Sequence, residues 1–589
     1  MSRNEKHMWI GLVVFPVLML CVFPVKADAY RDLYSDTWVA TDALGRSLPG
    51  YDEVGPPRDN RTVGLFYFLW LGQHGTGGPF DLTELLKENP QDPQYGPPRR
   101  FHHWGKPELG YYTSDSDYVI REHARLLSAA GVDVLIFDVT NAQTYHNVYL
   151  KLCEIFMQLR AAGQQTPQIM FLVNSRTDYT INKLYNEFYA QNLYPELWFR
   201  WQGKPLLLAG ATGPENLPPE IEDFFTMRKC WAWTHGQGTW NWVDHWPQRY
   251  GWHESPDKPE EVSVSVAQHP TTNIGRSHYN NQQPDNINVY GVGPRTHEGL
   301  YFGQQWQRAL DIDPKFLFIT GWNEWVAQRG IVSERGGNRR MLGRTLEPGD
   351  SFFVDGYNQE YSRCIEPMED GHTDNYYYQM VDGIRRYKGV RKPPSASLPT
   401  TISIDGRFDD WADVGPEFRD FIGDIEHRNE EGWGSAGPYV NTTGRNDLAV
   451  MKVARDEKYV YFYAETADAL TPHTGRNWML LFIDSDQNHT TGWEGYDFVV
   501  NLDVADNTTS LHRLRDGWNP EPVASIPYAI KGNRLELAIP RVALGLSPGD
   551  KVSLDFKWAD NIQKRGDITE FFINGDVAPE RRFNYRYKE

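Results

Sequence analysis

The sequence predicts an α/β chain in which a (β/α)8 TIM barrel is followed by an all-β sandwich. Three observations carry this. Between residues 62 and about 325, short β-rich runs alternate with helical patterns, as parallel strands with crossover helices require. No glycine-rich dinucleotide or phosphate loop follows any of those runs, which favours a closed barrel over an open doubly wound sheet. Beyond a Pro/Ser-rich stretch (GVRKPPSASLPTT, 389–401) the pattern changes to period-two strands and Asp/Asn/Gly turns. The expected division is a signal peptide at 1–29, the barrel at 30–389, a linker at 390–400 and the sandwich at 401–589.

Residues 63–69 (VGLFYFL) read as the first buried strand. A helix is expected at 117–130, where Ile120, Ala124, Leu127 and Ala130 fall near helical spacing and Gly131 stops it. Residues 132–137 (VDVLIF) form the next strand. Val148, Leu152, Ile155, Phe156, Leu159 and Ala162 then mark one face of an amphipathic helix. Strands follow at 168–173, 205–209, 228–233, 262–267 and 316–319, with helices at 301–310 and 374–387. The sandwich strands are expected at 401–404, 448–453, 459–465, 478–483, 498–502, 534–539 and 552–557.

The N-terminus sets the compartment. Arg3 and Lys6 precede an apolar run from Trp9 to Phe23, and Ala27-Asp28-Ala29 is a small-x-small cleavage site. This is the layout of a secretory signal peptide, so the chain is expected to be secreted or periplasmic. A cell-surface lipoprotein would use Cys21, but Leu20 before it is too bulky for that signal. No later stretch reaches the roughly 18 apolar residues of a membrane span.

Composition limits the partners. The formal charge is -19, from 78 acidic and 59 basic side chains, and a field of that sign repels nucleic acid. Cleavage leaves Cys153, Cys230 and Cys364, an odd and widely spaced set that reads as buried thiols rather than disulfides or a zinc site. His102, His103, His235, His269 and His278 lack the HExxH spacing of a metal cluster. No Gly-x-Ser-x-Gly elbow is present, and no organic cofactor is implied. Aromatic residues make up 14% of the chain, with 21 Trp and 32 Tyr, and flat aromatic faces stack on sugar rings.

In a parallel barrel the site lies at the C-terminal ends of the strands. The candidates are therefore Tyr67, late in the first strand; Asp138 and Asn141 after the second; Asn174 after the third; and His235 and His269 after later ones. The last strand runs into Gly321-Trp322-Asn323-Glu324-Trp325, which sets Glu324 at the barrel mouth between two indoles. An apolar wall raises a carboxyl pKa, and an indole can hold a sugar.

Three stretches, 109–141, 203–208 (GKPLLL) and 318–325 (FITGWNEW), resemble glycoside hydrolase family 99 and its related bacterial barrel proteins, which include endo-α-mannosidases. The resemblance spans most of residues 60–390 and implies an oligo- or polysaccharide substrate. It gives Glu324 the role of the family's Glu that acts on the substrate 2-hydroxyl, flanked by Trp322, Asn323 and Trp325. The family's acid/base Glu, three residues later, is replaced by Ala327. An Ile365-Glu366-Pro367 element recurs further on, so residues 326 to about 357 read as an insertion splitting the motif. Glu360 then falls within one residue of the missing position. Glu324 with Glu360 is the expected carboxylate pair, with Asp355, Glu366 and Asp138 as substitutes and Glu366 also a substrate contact.

The C-terminal region, through IDGRFDDW (404–411) and FIDSDQNHTTGWEGYD (482–497), resembles the carbohydrate-binding module family 9 type of sandwich. Asp484, Asp486 and Asn488 form an oxygen-rich loop with spacing suited to Ca²⁺, and Trp493, Trp558 and Asn561 are candidate sugar contacts. The expected activity is that of a secreted glycoside hydrolase. A non-catalytic glycan-binding protein that lost its acid at Ala327, and a glycosyltransferase, stay open as other readings. Sugar, linkage and oligomeric state are not legible.

Overall fold

The computed structural model describes residues 30–75, 77–283, 295–333 and 339–589; the expected signal peptide lies outside the described residues. Eight parallel strands form the barrel: β1 (Thr62–Tyr67), β2 (Val134–Val139), β3 (Gln168–Val173), β4 (Lys204–Ala209), β5 (Thr226–Cys230), β6 (Thr239–Trp240), β7 (Pro259–Ser265) and β8 (Phe316–Thr320). Hydrogen-bonded ladders run unbroken from β7 through β8, β1, β2, β3, β4 and β5 to β6. Beyond β7 the sheet continues through Gly251–Trp252 to Gly236–Gln237, and side chains tie β7 to β6. Glu261 accepts from the Asn241 amide at 2.9 Å, and Glu260 accepts from Trp240 Nε1 at 2.8 Å.

Alternation along the strands separates two layers. Phe66, Ile136, Met170, Leu172, Leu206, Leu208, Phe316 and Phe318 fill the barrel interior, a packed core rather than a pore. Leu65, Tyr67, Phe137 and Phe171 face the outer helices. Gly64 shows how tight the interior is, because a Cβ there would lie 2.4 Å from the Phe316 ring. The helix Asp117–Ala130 begins where Ser116 Oγ accepts from the Val119 amide, and it ends at Gly131, whose φ of 85° suits the left-handed cap.

No helix among the described residues is long and apolar enough to cross a membrane. Cys153, Cys230 and Cys364 are buried free thiols.

The C-terminal region is an antiparallel sandwich. The long strand Pro520–Lys531 joins its two sheets: its first part pairs with Thr508–Leu514, and its end pairs with Arg534–Pro540. The expected strand at 401–404 is absent, and the strands at 508–514 and 520–531 lacked a sequence signal because three prolines interrupt the second. Trp558 and Trp493 belong to the sandwich cores, and Asn561 donates to Thr443 O at 2.7 Å. The two indoles therefore pack the sandwich from within, while the half-buried Asn561 braces a turn. The sandwich meets the barrel through charged contacts: Arg581 grips Glu108 with two bonds of 2.6 and 2.8 Å, and Arg582 donates to Asp374 at 2.8 Å.

Candidate active site at the barrel mouth

The turn after β8 is fixed by its own residues. Asn323 bonds the Phe68 backbone twice, accepting from its amide at 2.8 Å and donating to its carbonyl at 3.1 Å, as another strand would. Trp325 stacks on Trp104 with centroids 4.5 Å apart and planes 16° from parallel, an arrangement worth about 0.5–1.5 kcal/mol beyond area burial. Its Nε1 donates to Glu366 at 2.5 Å, and Trp104 Nε1 donates to the Glu324 carbonyl at 3.0 Å. These contacts point the Glu324 carboxylate into the mouth.

The chain then leaves the barrel. Val326–Gln328 pairs with Phe101–His103, which buries Ala327 opposite His102. Short hairpins follow, packed around Leu82, Leu86, Met341, Leu346 and Phe353. The excursion returns where it began: Gly321 N donates to Arg363 O at 2.8 Å, and Ile365 N donates to Gly321 O at 3.0 Å.

That return delivers Arg363 and Asp355. Arg363 Nη2 lies 2.5 Å from Glu324 Oε2 and 4.0 Å from Asp355 Oδ1. Those two distances sum to an upper limit of about 6.5 Å between the carboxylate oxygens, within the ~5–10 Å span of glycosidase pairs. Asp138, at the end of β2, completes the group, with its carboxylate accepting from the Thr140 amide at 3.0 Å. Burial pushes Glu324 well above the usual carboxylate range; Arg363 opposes this, and Asp355 and Asp138 reinforce it. Asp355 and Asp138 are also raised by burial, again with Arg363 opposing. Three carboxyls around one guanidinium do not all ionise together.

Aromatic rings line the mouth in sequence, from Trp70 through Phe68 and Phe66 to Trp242 and His269. The Arg363 guanidinium lies 5.6 Å from the centre of the Trp242 ring. His269 is held neutral by burial and by Arg363. Nε1 of Trp70, Nε1 of Trp242, Nδ1 of His269 and Nη1 of Arg363 are buried without hydrogen-bond partners, although such groups are normally paired. Trp233, more than one-third exposed, stands 5.9 Å from the His269 ring.

The expected site residues thus divide. Glu324, Asp138 and His269 come together. Asn174, packed under Gly210, and the exposed Asn141 and His235 follow their strands without joining the Arg363 group. Tyr67 points outward, its hydroxyl 2.9 Å from His123 Nδ1. Glu366 lies in the same buried outer network, accepting from Tyr112 at 2.6 Å and from Trp325. Trp322 packs edge-on to His123, and both indoles of the WNEW motif are fully buried. The two indoles and Asn323 therefore brace the turn.

Glu360 is not beside Glu324. Its carboxylate is buried and accepts from Ser277 N at 2.7 Å, Ser277 Oγ at 2.8 Å and Gln283 Nε2 at 2.6 Å, as well as from Thr296 Oγ1. The carboxylate that shares Arg363 with Glu324 is instead Asp355. Arg363 was missed by sequence reasoning, since a single arginine in an irregular segment carries no periodic or motif signal.

No protein-family profile matches the chain, and no curated protein matches it. Among solved structures it is similar to a GH99 endo-α-mannosidase from Bacteroides thetaiotaomicron in complex with bis-tris-propane. The match has 14% identity and a TM-score of 0.32, covering 56% of this chain and 97% of that one. A second structure of the endo-α-mannosidase from that organism matches with 14% identity and a TM-score of 0.30, covering 57% and 99%.

In the sandwich, the carboxylate oxygens of Asp484, Asp486 and Asp497 lie within 4.8 Å of one another. Asn488 Oδ1 accepts from Thr490 N and Oγ1 at 3.1 and 2.7 Å. Asp497, from the following strand boundary, supplies the third oxygen of the set a hard cation would take. Burial and the neighbouring Asp555 push Asp484 up to about 7.

Proposed function

We propose that the protein is an exported glycoside hydrolase acting on an oligo- or polysaccharide through Glu324 and Asp355. The observation that carries this reading is the Arg363 guanidinium held between those two carboxylates at the C-terminal ends of the barrel strands. The two act as the pair a glycosidase needs, one carboxyl giving a proton to the departing oxygen and the other standing ionised beside the sugar ring. Asp355 is the more exposed of the two, and Asp138 raises the proton affinity of Glu324. The unpartnered N–H groups of Trp70, Trp242 and Arg363 are matched to sugar hydroxyls, and Trp233 offers a face for ring stacking.

The test is reducing-sugar release from a panel of plant, algal and microbial polysaccharides by the mature protein, Glu324→Gln and Asp355→Asn. Each substitution is expected to cost at least about 10²-fold, of the order of a lost general acid or base, with the fold retained. Undiminished release by Asp355→Asn would remove Asp355 from the pair.

A second reading is favoured by Ala327, buried in a strand where the family resemblance expects the acid. On that reading the mouth binds glycans without cleaving them. Oligosaccharide binding with no release by the wild type would decide for it.

A further inference from the structure

Away from the mouth, where the sandwich meets the barrel wall, five carboxylates converge. Asp420, Asp424 and Glu580 each bring an oxygen within 4.8 Å of the other two, and so do Asp424, Asp447 and Asp576. Asp424 belongs to both groups. Three of the five come from a strap at 420–447, and two come from the C-terminal segment at 576–580.

The cluster lacks the partners that buried charges need. Asp420 is fully buried, and neither of its oxygens has a hydrogen-bond partner; the buried Oδ1 atoms of Asp424 and Asp447 also have none. Gly423 N donates to the other oxygen of Asp447 at 2.8 Å, and Leu448 N donates to Asp576 at 2.5 Å. Arg125, Arg31 and Lys557 lie within electrostatic reach of the cluster but make their bonds to other groups. Arg125 pairs with Glu122 and Glu426, Arg31 donates to the carbonyls of Asp420 and Ala449, and Lys557 donates to Pro579 O. Like charges gathered out of water are costly unless a cation or protons neutralise them.

The geometry points to a structural divalent-cation site of the calcium type, centred on Asp424 and joining the strap to the C-terminal segment. All the candidate donors are hard oxygens, with no nitrogen or sulfur among them. Calcium takes six to eight oxygens at about 2.3–2.6 Å, and the oxygens of each group lie close enough together for one ion to touch all three. Magnesium, at about 2.1 Å, needs a tighter cage. A cavity of about 40 Å³ lined by Asp424, Asp576 and Glu580 adds room for water ligands, each of which needs ~10–15 Å³ by this measure.

A cation here would fix more than the sandwich. The same strap bonds the barrel, with Trp433 N donating to Tyr111 O at 2.6 Å and Trp433 Nε1 donating to Gly77 O at 3.2 Å. Arg428 donates to Leu109 O at 2.8 Å. Filling the cluster would therefore hold the sandwich strap against the loops beside the barrel mouth.

The experiment is thermal unfolding and calcium titration calorimetry on the full mature protein after EGTA dialysis. Wild type, Asp424→Asn, Asp420→Asn and Asp486→Asn are compared, the last to separate this cluster from the 484–497 loop. Calcium is expected to raise the wild-type Tm by several degrees, and Mg²⁺ at the same concentration by less. Asp486→Asn should keep that shift, while Asp424→Asn and Asp420→Asn should lose it along with one bound equivalent. If either cluster variant fails to fold, the other carries the comparison. A wild type that binds no calcium, or a calcium shift kept in both cluster variants, would overturn the site. So would a shift lost only in Asp486→Asn.

Discussion

Arg363 and Glu324 are 39 residues apart in sequence, and their side chains meet at 2.5 Å at the barrel mouth. The contact joins the two ends of the excursion that starts after the WNEW turn. It also puts one fixed positive charge among three carboxyls, which is the electrostatic condition for keeping one acid protonated and another ionised at the same pH.

Replacing Arg363 by methionine is therefore expected to do two things. Leaving the carboxyls without their partner should destabilise the fold by about 3–5 kcal/mol, the usual cost of breaking a buried pair. Arg363 lowers the proton affinity of Glu324, Asp355 and Asp138. Without it the carboxylate that must be ionised titrates higher, so the acid limb of the pH–rate profile should move to higher pH. A profile measured on the folded variant that leaves the acid limb in place would contradict this assignment.

Glu360→Gln separates structure from chemistry. The substitution puts an amide NH₂ where Ser277, Gln283 and Thr296 all donate, so donors face a donor. The expected result is a Tm several degrees lower with turnover per folded molecule within about twofold of wild type. A loss of 10²-fold or more in kcat without loss of stability would return Glu360 to the catalytic pair.

Ala327→Glu tests whether the acid that the resemblance expects at this position can be supplied there. Position 327 is fully buried in a strand and packed against Leu82, Leu86 and Met341. A carboxyl there lacks both solvent and a partner, so the variant should be destabilised by several kcal/mol. It should also fail to restore activity to Asp355→Asn. Rescue of that variant by the double substitution would show that residue 327 reaches the mouth.

His103 gives a pH signature of its own. Burial depresses it to about 3, and neither ring nitrogen has a hydrogen-bond partner. Its folded-state pKa is lowered, so the stability due to the neutral ring is present above about 6.5 and is lost as pH falls toward about 3. Each pH unit in that window costs about 1.4 kcal/mol. The ring packs edge-on to Tyr111 and Trp433, so His103→Phe keeps the contact without the titration. Chemical denaturation at pH 7 and pH 5 should show a smaller fall for the variant, and equal falls would contradict the reading.

The barrel strands were legible because burial on both faces makes a run such as QIMFLV apolar whatever its neighbours are. The two-residue strand Thr239–Trp240 was not legible, since it is too short to carry a period and its far side is tied to β7 by the side chains of Glu260 and Glu261. Placing Glu324 at a strand end needed only the order of elements. Reading Trp322 and Trp325 as sugar contacts failed because a sequence shows that an indole is present but not which way it points.

The sequence by itself determined the alternation of layers, the placing of Glu324 after β8 and the identity of residue 327 as alanine, since these depend on local pattern and identity. Only the tertiary structure decided the partner of Glu324. Glu360 and Asp355 lie five residues apart on an irregular loop, and no period says which of the two carboxylates turns inward. That choice is made by distant contacts. Ser277, Gln283 and Thr296 hold Glu360 away from the mouth, while Arg363 draws Asp355 toward it.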